Sequence, residues 1–170
     1  LKKNNVRVVS ATEVISSGAD GILLESVLEG FAEYYSADLA EKVTRGMTEN
    51  ALKCKFNGGS MPIGYVIDEK QHFQIDPLTA PFVLEAFKRY IEGATMKELI
   101  DFFNEKGIKN KSGGDINYNS IQRMLNNRRY IGEYAFRDIV VPDGIPAIVP
   151  KELFDRVQAK LAKNKKSPAR

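Results

Sequence analysis

From Gly21 to Phe56 the chain runs without a proline through residues that are mostly good helix formers, and nothing else in the sequence constrains the fold as strongly. Ile22, Leu24, Leu28, Phe31, Tyr35, Leu39, Val43 and Met47 recur at helical spacing and form an apolar stripe. Asp20 stands where an N-cap is expected. A helix of roughly 35 residues is about 50 Å long at about 1.5 Å per residue. One small domain cannot cover that length, so part of the stripe must meet another chain, another domain or a ligand. Charge changes sign along the segment. Glu25, Glu29, Glu33, Asp38 and Glu41 lead, and Lys42, Arg45, Lys53 and Lys55 follow, an order that the helix dipole alone can explain.

The next six residues, Asn57-Gly58-Gly59-Ser60-Met61-Pro62, read as a linker and predict a domain boundary. Beyond it, Ile63–Ile67 and His72–Ile75 flank Asp68–Gln71 as a β-hairpin. Pro77 opens a helix near 78–92 that turns Phe82, Val83, Ala86, Phe87, Tyr90 and Ile91 inward, and Gly93 stops it. Thr95 caps a second helix near 96–106, with Met96, Leu99, Ile100 and Phe103 inward and Gly107 at its end. Residues 108–116 read as a loop. Asn117 or Asn119 caps a third helix near 118–127, held by Ile121 and Leu125. Tyr130–Val140 and Ile145–Val149 predict a second hairpin around Pro142-Asp143-Gly144, and Pro150 starts a last helix to about Lys163. Val6–Ser10 is strand-like. The expected fold is α+β but mainly α: a long interface helix, then a helix-turn-helix or winged-type domain with small β-hairpins. The expected parts are 1–56, the linker 57–62, a domain over 63–164 and a basic tail over 165–170.

Composition narrows the function less. With 170 residues, the chain fits one full domain or two small ones. Lys and Arg number 25 against 22 Asp and Glu, so total charge does not announce a nucleic-acid binder. Its distribution is more pointed: Ala86–Arg137 holds ten basic and six acidic residues, and Lys151–Arg170 seven and two. One cysteine, Cys54, and one histidine, His72, can form neither an internal disulfide nor a structural zinc site. Apolar runs fall well short of the roughly 20 residues of a membrane span, and no signal peptide opens the chain. No membrane association is expected, and a reducing cytoplasm is the expected compartment. The chain starts at Leu1 and enters strand-like residues at once, so a piece of a longer protein is expected.

Residues 95–127 have the helix, loop and helix order of a helix-turn-helix, with a longer loop than usual. With Ile121 and Leu125 inward, the third helix presents Asn117, Asn119, Ser120, Gln122, Arg123, Asn126 and Asn127. Asn, Gln and Arg carry paired donors and acceptors that can read base edges in a major groove. The plain alternative is a solvated surface, but that usually carries Glu and Lys, and this face has no acid. Arg128, Arg129 and Arg137 lie where a hairpin wing would meet phosphates. A catalytic centre is harder to find: there is no glycine-rich phosphate loop, metal-ligand spacing or Cys–His pairing. His72 and Cys54 read as structural, and Ser10, Ser16, Ser17 and Ser26 show no sign of an activated nucleophile.

Several stretches, taken in order, resemble the serine recombinases. Val8-Val9-Ser10-Ala11-Thr12-Glu13, Gly21-Ile22-Leu23-Leu24, Phe31-Ala32-Glu33-Tyr34-Tyr35 and Glu41-Lys42-Val43-Thr44-Arg45-Gly46 resemble the end of their catalytic domain. In resolvases, invertases and large serine integrases that segment is the last strand and the long helix of the dimer interface. Gly58-Gly59 to Gly64-Tyr65 resembles the arm that leads to DNA. Leu125-Asn126-Asn127-Arg128-Arg129-Tyr130-Ile131-Gly132 resembles the Leu-x-Asn-x-x-Tyr-x-Gly signature of the large serine recombinases' DNA-binding domain.

The resemblance covers essentially the whole chain and implies site-specific recombination: integration, excision or inversion. Such enzymes cut both DNA strands with a serine, hold 5′-phosphoserine links, rotate within a tetramer and rejoin, without nucleotide or metal cofactor. The nucleophile is expected upstream of Leu1. Only Lys42 remains as an accessory catalytic position, because the family's Glu-Arg-Thr reads Glu41-Lys42-Val43 here, and lysine keeps the charge but not the guanidinium fork. The implied partners are double-stranded DNA and further copies of the chain, dimeric and then tetrameric. Leu24, Leu28, Phe31 and Tyr35 would make the oligomer contacts. Asn119, Gln122, Arg123 and Asn126 would face the major groove, Arg128, Arg129 and Arg137 the phosphates, and 57–62 would cross the minor groove. The implied location is the nucleoid. One alternative is a non-enzymatic dimeric winged-helix regulator. A coiled-coil interaction domain fits less well, because Tyr35, Leu39, Val43 and Met47 are spaced in fours and not in heptads.

Overall fold

The computed structural model describes residues 18–110 and 113–166. The expected strand at Val6–Ser10 and the end of the basic tail lie outside them. Two compact units result, one ending at Met47 and the other starting at Thr48.

The first unit is the greater part of helix α1, Ala19–Leu52. Asp20 is not its cap. The Gly18 carbonyl accepts from the Gly21 and Ile22 N–H groups, so the helix starts two residues earlier and Asp20 sits in its first turn. From Leu23 to Leu39 the apolar side chains, with Leu23, Val27 and Tyr34 added to the expected ones, fill one broad arc opposite Glu25, Glu29 and Glu33, and Ile22 falls among the glutamates. Beyond Leu39 the line continues in steps of four through Val43, Met47 and Ala51. Each such step advances about 40° around a helix of about 3.6 residues per turn. The apolar line therefore winds round to the side that the glutamates hold in the first half.

The second unit has its own core. Past α1 the chain turns at Cys54, whose φ is +53°. Lys55 bridges to His72, and the Phe56 N–H donates to the Gln71 carbonyl. β1 (Tyr65–Ile67) pairs antiparallel with β2 (Phe73–Ile75), Ile67 opposite Phe73. The Asp68 carboxylate closes the connection by accepting from the Lys70 and His72 N–H groups. Helix α2 runs Ala80–Glu92, later than Pro77 predicts. The cause is Asp76, whose carboxylate binds the Leu78 N–H and the Thr79 hydroxyl and holds the chain in a turn. Pro81 then takes the first-turn position.

Gly93 ends α2, and Thr95 with Glu98 forms a capping box on α3, Met96–Glu105. Residues 108–116 are more tightly held than a plain loop. Lys109 bridges to Asp115, and the Asn104 amide bonds both the N–H and the carbonyl of buried Ile116. α4 follows at Tyr118–Leu125, capped by Asn117.

The second hairpin departs from expectation. Arg128 and Arg129 do not open a strand; with Tyr130 and Ile131 they form a 3-10 turn capped by Asn127. β3 (Tyr134–Phe136) then pairs with β4 (Ile139–Val141) across a two-residue turn at Arg137-Asp138. Arg137 takes φ +50° there, a conformation that a sequence announces with Gly or Asn rather than Arg. Ile145–Val149 is not a strand: Ile145 donates to the Gly132 carbonyl, and Ile148 and Val149 to that of Tyr130. α5 covers Lys151–Lys166.

Val83, Ala86 and Phe87 of α2, Leu99 and Phe103 of α3, Ile121 and Leu125 of α4, and Phe154 and Val157 of α5 meet in one core. The Phe87 ring stacks on Phe154 and meets Tyr130 edge-on. Ala51, Cys54, Phe56, Met61 and Ile63 also pack on this core. The packed unit therefore takes in the last turn of α1 and the glycine segment 57–62.

Candidate nucleic-acid interface

Burial of Ile121, Met124 and Leu125 fixes which way α4 faces. Asn117 is used as its cap, with the side-chain oxygen accepting from the Ser120 N–H and hydroxyl. That leaves Asn119 and Arg123 on the outer surface. Both line an open groove of about 760 Å³ together with Ser60–Ile63, Ser120, Asn127 and Arg129. Among the described residues the lining contains four asparagines, two serines and two arginines, and no carboxylate. Arg123 and Arg129 have no carboxylate partner among the described residues.

Arg129 is the more firmly set of the two. Its N–H donates to the Asn127 side chain at 3.1 Å, its carbonyl accepts from the Tyr65 hydroxyl at 2.8 Å, and its guanidinium lies 5.6 Å from the Phe73 ring centre. The other predicted residues scatter. Gln122 and Asn126 line a separate cavity of about 320 Å³ with Tyr118, Met96 and Lys160, and the Asn126 amide donates to the Gln122 carbonyl. Arg128 is held by Glu133, its Nε 2.8 Å from each carboxylate oxygen. Arg137 is exposed at the hairpin turn, 5.4 Å from the Phe136 ring centre.

In the first unit, Leu24, Leu28, Phe31 and Tyr35 are all exposed, Phe31 at 57% and Tyr35 at 65%. Lys42 forms an ion pair with Asp38 at 2.8 Å. The Cys54 thiol is half-buried, which raises its pKa and leaves it a poor nucleophile at neutral pH. No group of three or more potential metal ligands occurs among the described residues, and no described helix is long and apolar enough to cross a membrane.

Three tyrosines take a part that the sequence motifs containing Tyr65 and Tyr130 do not state. Tyr65, Tyr130 and Tyr134 are buried near the groove, and burial raises the pKa of each hydroxyl. Aromatic residues in strand-like runs read only as core, so spacing alone could not mark them. Their hydroxyls all bind backbone carbonyls.

Residues 77–164, just over half of the chain, match the family described as Recombinase. The chain belongs to the Recombinase family. Its fold is also that of two solved structures. One, described as "Crystal Structure of a LSR-DNA Complex", aligns with a TM-score of 0.60 and 18% identity, covering 75% of this chain and 39% of its own. Another, "Sequence Requirements of the Listeria innocua prophage attP site", aligns with a TM-score of 0.58 and 18% identity, covering 75% of this chain and 57% of its own. The recombinase chain thus spans less than two thirds of either. No curated protein matches its sequence.

Proposed function

We propose that this chain is the segment of a large serine recombinase that carries the oligomerisation helix and the domain that binds the recombination site. The observation that carries the reading is the groove beside α4, which combines two arginines, four asparagines and, among the described residues, no carboxylate. Its chemistry suits a polyanion with hydrogen-bonding edges. On this reading α4 enters the major groove of double-stranded DNA, where the Arg123 fork and the Asn119 amide meet base edges. Arg129 and Arg137 neutralise phosphates, and Arg128 joins them on leaving Glu133. Gln122 and Asn126 flank the same helix at the edge of the contact.

Leu24, Leu28, Phe31 and Tyr35 on α1 supply the dimer face, and tetramers form in synapsis. Strand cleavage belongs to a serine and arginines elsewhere in the parent enzyme, which works in the cytoplasm on the nucleoid; Lys42 is at most an accessory group. The non-enzymatic regulator is not favoured, because the family match extends through the 3-10 turn and α5 as well as the helix pair.

Fluorescence anisotropy with DNA from the ends of the parent element and with scrambled DNA, each at two salt concentrations, tests the reading. Tighter binding to the element ends, weakening steeply with salt, is expected. Arg123→Ala should cost about 1–3 kcal/mol on the specific duplex and much less on the scrambled one. Equal loss on both would remove its base-reading role.

A further inference from the structure

The glycine segment 57–62 is gripped at both ends by tyrosines from one short stretch of chain. At its start the Tyr134 hydroxyl donates to the Lys55 carbonyl at 2.7 Å, and the Asn57 side chain also bonds Tyr134. At its end the Tyr130 hydroxyl donates to the Ile63 carbonyl at 2.9 Å. Tyr65, two residues further on, returns the grip by donating to the Arg129 and Pro146 carbonyls at 2.8 and 2.7 Å. The Tyr65 and Tyr130 rings stack with centres 5.9 Å apart. Between the ties, Gly58 and Gly59 adopt φ of +88° and +96° and, with Ser60, are exposed. Ser60–Ile63 then line the same groove as Arg123.

A glycine-rich segment held only by its chain ends would have to be ordered on binding, at a cost in conformational entropy for every residue fixed. Here the ordering is built into the fold. We infer that Tyr130 and Tyr134 are positioning residues for DNA binding: their hydroxyls set the path of 57–63 so that the Ser60–Ile63 part of the groove that Arg123 lines is formed before the duplex arrives. The inference rests on the proposed DNA-binding reading. Neither hydroxyl touches DNA, so removing one should loosen the segment without changing the number of phosphates neutralised.

The test compares the whole chain with its Tyr134→Phe and Tyr130→Phe variants on a mixed-sequence duplex at several salt concentrations. Hydrogen exchange of the 57–62 amides is followed in the free proteins. Each variant should bind about three- to tenfold more weakly. The slope of log affinity against log salt should be unchanged, and 57–62 should exchange faster while α2 and α3 stay protected. A hydroxyl that serves only stability would lower the melting temperature and leave duplex affinity intact, which would overturn the inference. A changed salt slope would also overturn it, because the hydroxyl would then be acting on phosphate. Wild-type chain that binds no duplex at low salt would overturn the DNA-binding reading itself, and the inference with it. Should Tyr130→Phe fail to fold, Tyr134→Phe and a single glycine inserted between Gly58 and Gly59 keep the test open, since the insertion leaves both tyrosines in place. The insertion should weaken binding in the same way, and wild-type affinity in it would count against a preformed groove lining.

Discussion

Tyrosine appears in both units, and the two sets could hardly differ more. Tyr34 and Tyr35 stand on α1 with their rings mostly in solvent. Tyr65, Tyr130 and Tyr134 are buried, ring against ring, with every hydroxyl spent on a carbonyl. The aliphatic residues repeat the contrast. Leu23, Val27, Leu28 and Leu39 are exposed along α1, whereas Val83, Leu99, Leu125 and Val157 are wholly covered in the second unit. The same residue types are a finished core in one region and an unmet surface in the other. Apolar periodicity reports where a side chain points; what covers it depends on what else is present.

The contrast can be broken most sharply at Phe87, which is fully buried and packs on Phe154 and Tyr130. Phe87→Ala should cost about 3–5 kcal/mol in urea unfolding of the second unit. Gly64→Ala comes next, at about 2–3 kcal/mol, from added strain and overpacking. Its φ is +94°, and a Cβ there would lie 2.9 Å from Ile148 Cδ1 and 3.2 Å from Val83 Cγ2. A cost below about 0.5 kcal/mol would mean that the site yields easily, as ordinary surface does.

Alkaline titration probes the buried tyrosines more gently. Burial raises the hydroxyl pKa of Tyr65, Tyr130 and Tyr134 above the ordinary value of 10. Above pH 10 the unfolded chain therefore holds fewer protons than the native one, and stability should fall as pH rises. Thermal melts of Tyr130→Phe should show a shallower fall than wild type; an identical slope would argue that this hydroxyl is not the one titrating. Phe31→Ala should have the smallest effect, within about 0.5 kcal/mol on the unfolding of the separate chain. Sedimentation of the same variant should nevertheless show weaker self-association if α1 is the dimer face. A monomer cost near that of Phe87→Ala would erase the contrast between the units.

Helices were the most legible part of the sequence. Thr95 with Glu98, Gly93 and the run from Val83 to Tyr90 specify α2 and α3 through caps and periodicity that act within a few residues. The hairpin over 134–141 was misread because its turn uses Arg137 at positive φ, and side-chain identity gives no warning of that. The start of α2 was misplaced because the Asp76 carboxylate, not Pro77, sets where the turn ends. On the candidate interface, Asn119 and Arg123 followed from helix phase, since Ile121 and Leu125 settle which way α4 faces. The rest of the groove lining at Ser60–Ile63 is brought there by tyrosines 67 and 79 residues away from the carbonyls they bind, and no local pattern encodes a tie of that range.

The grip on 57–62 has a consequence for how such a domain can change. Apart from Asn57, what the tyrosines hold is peptide oxygen, which every residue carries whatever its side chain. The fixture is therefore indifferent to what is mounted in it. Ser60, which is exposed, can be exchanged for other side chains without disturbing the clamp, much as one chuck accepts many bits. On the proposed DNA-binding reading, new target preferences can be tried at that position while the scaffold that presents it stays as it is.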